Sequence, residues 1–157
     1  MKKWSLWLFF LIIFIISGFC TYLYISTTKP MELDKITATE IAMTETKLMT
    51  MEDFSVYNGK ESYYVVKGKN NLDVDIFVLI NKTTQKVVVK QARHGISSKE
   101  ALQVIFPTNP PNNAKVQLGI ENNIVLWEIT YLNEAEKLNY YYIDFETGEL
   151  LKKIENL

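Results

Sequence analysis

One cysteine (Cys20) and one histidine (His94) are all that the 157 residues hold of those two types. A Cys/His zinc site needs three or four such ligands and a disulfide framework needs pairs, so both are excluded. No charge of one sign dominates: 17 basic residues against 18 acidic ones leave a net charge of −1. Proteins that grip nucleic acid by neutralising phosphates carry a basic stripe or patch, and this balance argues against that class. Also missing are a Gly-x-Ser-x-Gly nucleophile elbow and a calcium loop of alternating acidic residues closed by glycine. Aromatic residues, by contrast, are abundant and unevenly placed, with eight of the 20 Phe, Trp and Tyr residues in the first 25 positions.

Residues 4–25 read WSLWLFFLIIFIISGFCTYLYI, a run without a charge. As a helix it would be about 33 Å long, against a hydrocarbon core of about 30 Å. Lys2 and Lys3 precede it, and Trp4, Trp7, Tyr22 and Tyr24 sit where interfacial aromatic belts form. The expectation is a single-pass anchor in the cell membrane, N-terminus cytoplasmic and C-terminal domain extracytoplasmic, with Lys29 as the one counter-charge on the far flank. A cleaved signal peptide fits less well, because its apolar core is shorter and bulky Phe19, Tyr22 and Tyr24 crowd the cleavage zone. Cys20 follows Ser17-Gly18-Phe19, which lacks the small residue that a lipid-modified cysteine wants before it. Without Lys2 and Lys3 the remaining chain carries 15 − 18 = −3. Residues 26–33 read as a short polar tether in which Pro30 discourages the helix from continuing.

The rest of the chain repeats itself at a spacing of about 60–64 residues. Ile36-Thr37-Ala38-Thr39-Glu40 parallels Ile96-Ser97-Ser98-Lys99-Glu100, each a capping box opening a short helix. The apolar stripes are Ile41, Ala42, Leu48 and Met49 in the first helix, and Ala101, Leu102, Ile105 and Phe106 in the second. Pro107 stops the second helix. Asn58-Gly59 is a type I′ hairpin signal, matched by Asn122-Asn123 in the second half. A further hairpin, residues 74–90, parallels residues 139–154. Alternation is clear at Val74/Ile76/Val78/Ile80 and at Val125/Trp127/Ile129/Tyr131. Each half therefore reads as one helix covering about four antiparallel strands, an α+β architecture. The domain boundaries expected are 1–25 for the N-terminus and anchor, 26–33 for the tether, 34–95 for the first module and 96–157 for the second.

The ending from Tyr140 to Leu150, YYYIDFETGEL, is similar to the last hairpin of PepSY-type domains. Together with the lysine-led anchor and the hairpin Tyr57-Asn58-Gly59…Tyr63-Tyr64-Val65-Val66-Lys67-Gly68, the layout resembles the YpmB/TseB-like cell-wall elongation regulators of Gram-positive bacteria. The resemblance covers nearly the whole chain. It implies a cystatin-like or PepSY-like fold for each tandem module and a membrane-tethered, non-enzymatic role without cofactor. The implied partner is a class B penicillin-binding protein, the transpeptidase of wall elongation, or another extracytoplasmic wall-synthesis protein. The alternative is a PepSY-type regulator or inhibitor of an extracytoplasmic peptidase.

Candidate chemistry is sparse. His94 falls in a turn between modules, and the one thiol lies in the apolar run. Asp73/Asp75 and Asp144/Glu146 are spaced to share a strand face, where they could form a hydrolase dyad or a cation site, but they flank hairpin strands where charges guard edges and start turns. No catalytic, cofactor-binding or metal-ligating residue is assigned. The constellation with functional promise is aromatic: Tyr63, Tyr64, Trp127, Tyr140, Tyr141 and Tyr142. Some of these rings serve core packing and cross-strand pairs, and the outward-facing ones are candidates for partner binding.

Overall fold

The computed structural model describes residues 2–157, with side chains for all but 2, 3, 5, 6 and 22–30. Helix α1 (Lys2–Glu45) is followed by β1 (Leu48–Asn58), β2 (Ser62–Asn70), β3 (Asp75–Asn81) and β4 (Val87–Gln91). A short 3-10 turn (Ala92–His94) leads to α2 (Ser98–Ile105), then β5 (Lys115–Glu121), β6 (Ile124–Leu132), β7 (Leu138–Asp144) and β8 (Leu150–Ile154). The strands form two antiparallel four-stranded sheets, ordered β1-β2-β3-β4 and β5-β6-β7-β8. The chain forms two compact units, one ending at Thr37 and one of residues 38–157, and the two sheets lie together in the latter.

In the first unit α1 does not stop at the expected tether. It runs through residues 26–33 and past the expected capping box of Thr37 and Glu40. A proline removes one backbone donor, but helix propagates from the residues on both sides, each adding a bond. The side chains described from Trp7 to Phe19 are exposed wherever they are large and apolar. Among the described residues no helix is long and apolar enough to cross a membrane. Residues 7–21, the longest described apolar stretch, rise only about 22 Å. The span expected over residues 4–25 lies in part outside the described side chains.

The second unit begins with the last turns of α1. Thr46 ends the helix: its amide and hydroxyl both donate to the Ala42 carbonyl, and its Oγ1 accepts from the Leu48 amide (3.1 Å). Leu48 and Met49, expected on a helical stripe, consequently open strand β1. Ala38 and Ala42 pack on Leu48, Val66, Ile76, Val78 and Ile80, one face of the first sheet. In the second module the expected capping box forms: Ser97 Oγ accepts from the Glu100 amide at 3.2 Å, and Glu100 Oε2 accepts from the Ser97 amide at 2.7 Å. The Ser97 amide and then the Ser97 hydroxyl (2.7 Å), both donating to the carboxylate, hold the Glu100 pKa below its ordinary value.

The repeat is visible hydrogen bond by hydrogen bond. Asn70 Oδ1 accepts from the amides of Leu72 and Val74 (2.9 and 3.0 Å), and 63 residues later Asn133 Oδ1 accepts from Ala135 and Lys137 (both 3.0 Å). Asp73 and Glu136 take matching positive φ values of 58° and 57°. Asn81 and Asp144 repeat the pattern at the same spacing, each accepting from the amides two and three residues on. The side-chain oxygen of Asn or Asp stands in for a backbone acceptor, which is what starts an Asx turn. Of the two expected type I′ turns, Asn122-Asn123 forms with φ of 48° and 66°. Asn58-Gly59 does not: neither residue has positive φ, and a three-residue loop joins Asn58 to its register partner Ser62. Glycine is needed there for space, since an added Cβ would come within 2.6 Å of the Tyr57 ring.

Candidate functional site

The two modules share one seam. The face of the first sheet turned away from α1 bears Tyr57, Tyr63, Val65 and Leu79, and these merge with Leu118, Ile120, Trp127 and Phe145 of the second module into one buried cluster. Strand β5, the edge of the second sheet, packs against β1 and β2, so an otherwise open edge is covered. The Phe77 ring meets Trp127 and Phe145 edge-on at 5.8 and 5.9 Å. Trp127 Nε1 donates to the Ile96 carbonyl at 2.9 Å, and the Ile96 amide donates to the Phe145 carbonyl at 2.8 Å. Those two bonds seat the linker just before the Ser97 cap.

Strand alternation divides the six aromatic candidates among three surfaces. Tyr63, Trp127 and Tyr141 belong to the seam cluster and are buried. Tyr63 donates its hydroxyl to Glu61 (2.9 Å), and Tyr141 donates to Glu155 while stacking on Tyr131 at 6.0 Å. Tyr64, on the opposite face of the first sheet, is half-buried beside Phe54 and lies under the Lys82 ammonium at 4.8 Å. Tyr140 and Tyr142 emerge on the face of the second sheet opposite α2. Tyr142 is buried there beneath the Lys152 ammonium at 5.3 Å, and Tyr140 is half-buried. Tyr64 and Tyr140 thus keep the most accessible surface among the six.

Two hollows flank β5. On the α2 side a cleft of about 470 Å³ runs between the modules, floored by Val65, Phe77, Leu118 and Trp127 with Lys67 and Asp75 at its rim. On the opposite side a hollow of about 600 Å³ is lined by Lys115, Gln117, Glu121, Glu128, Tyr140 and Tyr142. One register row crosses the whole second sheet beneath it: Gln117, Glu128, Tyr142, Lys152. Gln117 Nε2 donates to Glu128 Oε1 at 2.9 Å, and the Tyr57 hydroxyl, reaching over from the first module, donates to Glu121 Oε1 at 3.1 Å. Sequence reasoning missed this acidic floor. The available signal was Glu128 itself, a carboxylate in the middle of an otherwise apolar strand.

The acidic pairs read from the sequence are tied into structural roles. Asp73 and Asp75 both bridge to Lys69 (3.4 and 3.2 Å), Asp144 caps its turn, and Glu146 pairs with Lys90 across the modules. His94 sits in the exposed 3-10 turn. Among the described residues no group of three or more His, Cys, Asp or Glu side chains could hold a metal ion.

The phenols report the electrostatics. Burial, followed by the charges of Glu128 and Glu121, pushes the Tyr57 and Tyr142 phenols well above their ordinary range. Burial and the bond with Glu155 do the same for Tyr141. A raised phenol pKa favours the neutral form in the folded state, so this stabilisation is complete below about pH 10, where unfolded tyrosine ionises, and is lost as pH rises further. In an alkaline titration followed by tyrosinate absorbance, these three rings are expected to ionise only as the domain unfolds. Their ionisation near pH 10 with native circular dichroism retained would contradict this placement.

A family model described as "Cell wall elongation regulator TseB-like domain" matches residues 37–81, within the first module. Over 115 residues the chain is 36% identical to the protein named "Probable cell wall elongation regulator TseB" of Bacillus subtilis (strain 168), covering 72% of this chain and 71% of that protein. A solved structure, the YpmB protein from Bacillus subtilis, superposes with a TM-score of 0.68 at 35% identity, covering 76% of this chain and 94% of that one.

Proposed function

We infer the working role from one premise: the chain belongs to the TseB-like family of cell wall elongation regulators. It acts as a membrane-anchored, extracytoplasmic and non-enzymatic regulator that binds a class B penicillin-binding protein and modulates its transpeptidase activity. The kinship with a named elongation regulator is the observation that carries this reading.

Anchoring is supported by the first unit. From Leu8 to Phe19 every large apolar side chain is at least 46% exposed. An apolar surface of that extent in water is unfavourable, and a bilayer covers it. Lys2 and Lys3 ahead of it favour a cytoplasmic N-terminus. Binding rather than catalysis is supported by the engagement of the candidate acid pairs in turns and ion pairs. Confining regulator and enzyme to one membrane raises their effective concentration, so a modest interface around Tyr64 or Tyr140 suffices.

The test places a photo-crosslinking amino acid at position 64 or 140 of the full-length chain in cells. Crosslinks to a transpeptidase are the expected result, and crosslinks to an extracytoplasmic peptidase instead would overturn the partner assignment. Full complementation of a deletion strain by an exported version lacking residues 1–33 would overturn the tether.

A further inference from the structure

We propose that the outer edge of β4 is a docking edge for an extended segment of a partner protein, which adds to the first sheet as a further strand and carries acidic residues on either side of an apolar pair.

Two four-stranded sheets have four edges, and three of them are managed. Strand β5 packs against β1 and β2. Strand β1 is broken by two register irregularities and carries Glu52 and Asp53. Strand β8 has an irregularity of its own and presents Lys152 and Lys153. Bulges and charges are the usual devices that keep an edge from pairing with another chain. Strand β4 keeps an unbroken register with β3 and begins with three valines, of which Val89 is 45% exposed.

The backbone of that edge is open. The Lys82 amide donates to Ser62 and the Asn81 amide to Lys86, both at 2.9 Å, so even-numbered residues of β3 bond β2 and odd-numbered ones bond β4. Leu79 and Phe77 therefore engage Val88 and Lys90. The amides and carbonyls of Val87, Val89 and Gln91 point outward. Among the described residues none of these groups makes a backbone bond elsewhere.

The side chains specify what could pair there. Residues 82–94 hold Lys82, Lys86, Lys90 and Arg93 and no acid. Two carboxylates come close, Glu146, paired with Lys90, and Glu61, bonded by Tyr63 and Asn81, which leaves the strip at 4 − 2 = +2. The chain as a whole carries −1, so this strip opposes the general balance. Residues directly opposite in a sheet share a face. An added strand then places acids opposite Lys86 and Lys90 and apolar residues opposite Val87 and Val89. On the seam side, a hollow of about 290 Å³ beside Lys86, Val88 and Lys90 has room for the acids. On the other face Val87 continues the row of Tyr64 and Ile80, so the apolar residues extend an existing surface. A second copy of this chain fits poorly, because it sets one basic strip against another.

The inference deepens the partner-binding role proposed above and rests on it for the source of the segment; its test needs no wall enzyme. The full chain in detergent micelles is titrated with the capped peptide Glu-Val-Thr-Val-Glu while the β4 amides are followed by NMR. The expected result is a saturable shift, with slowed exchange of the Val87 and Val89 amides. A fully N-methylated copy, which keeps the side chains and loses the donors, and Lys-Val-Thr-Val-Lys are expected to bind about tenfold more weakly or worse. Equal binding of either copy would overturn strand addition. So would inorganic polyphosphate displacing the peptide and reproducing the exchange protection, since that marks a polyanion patch. Proline is tolerated at an edge position whose N–H faces outward. Val89→Pro is therefore expected to leave circular dichroism native and weaken the peptide about tenfold, and undiminished affinity would contradict the site. Should that variant fail to fold, Lys86→Glu supplies the second comparison, with a severalfold loss expected and unchanged affinity counting against the proposal. Crosslinking that finds no transpeptidase leaves the peptide result standing, so the two ideas fail separately.

Discussion

Alanine at position 57 is expected to destabilise the folded unit by about 3–5 kcal/mol, the range for deleting a fully buried aromatic side chain. Tyr57 has 0% exposure and is the largest side chain so buried among the described residues. It leaves the first sheet and lies against Gly119 on the second, where an added Cβ would come within 2.5 Å of ring atoms. Removing the ring therefore opens a cavity at the seam itself. Tyr57→Phe separates the two contributions, because it keeps the ring and loses only the bond to Glu121, at a cost of about 0.5–1.5 kcal/mol. The partner substitution Gly119→Ala forces the ring outward and is expected to cost about 1–3 kcal/mol in the native background. Once Tyr57 is alanine, the same change meets empty space and costs little. Urea denaturation of the four species should give a coupling energy of about 0.5–3 kcal/mol. Strict additivity would show that Tyr57 does not rest on Gly119.

Trp127→Ala is expected to cost a similar amount, about 3–5 kcal/mol. The indole lies at 5.8 Å from Phe77 and 6.2 Å from Phe145, which joins rings of both modules. Its Nε1 bond to the Ile96 carbonyl also positions the linker that leads into α2. Trp127→Phe retains much of the packing but leaves that half-buried carbonyl without its donor, a loss of about 0.5–1.5 kcal/mol. Faster amide exchange in α2 of the phenylalanine variant should accompany this loss, since the start of the helix is no longer held. Far-UV circular dichroism is the suitable probe, because Trp4 and Trp7 would otherwise dominate the remaining fluorescence. A change below about 1 kcal/mol for Trp127→Ala would mean that the seam can repack around the gap.

The aromatic candidates show where strand periodicity runs out. Alternation correctly separates Tyr141 from Tyr140 and Tyr142, because successive side chains of a strand point to opposite faces. It does not say which face a second sheet, a helix or water will cover. Tyr63 and Tyr64 are equivalent on paper, yet one faces the other module and the other the α1 side. Glu128 is a similar case: a lone carboxylate in an apolar strand stands out in the sequence, but the hollow above it is completed by Asn58 and Gly59, which the first module brings alongside β5.

Some features were determined by the sequence alone. These are the repeat, the strands and the Asn and Asp turn starters, with Asn70 and Asn133 and then Asn81 and Asp144 recurring 63 residues apart. Such features arise from short-range chemistry, a side chain bonding the backbone two or three residues away, which adjacent residues specify completely. Tertiary structure decided the rest: that α1 continues through Pro30, that Gly59 provides room instead of positive φ, and that four of six candidate rings are buried. Each of these depends on what lies across the seam or along a propagating helix, and cooperative packing between distant segments is not written in any local pattern.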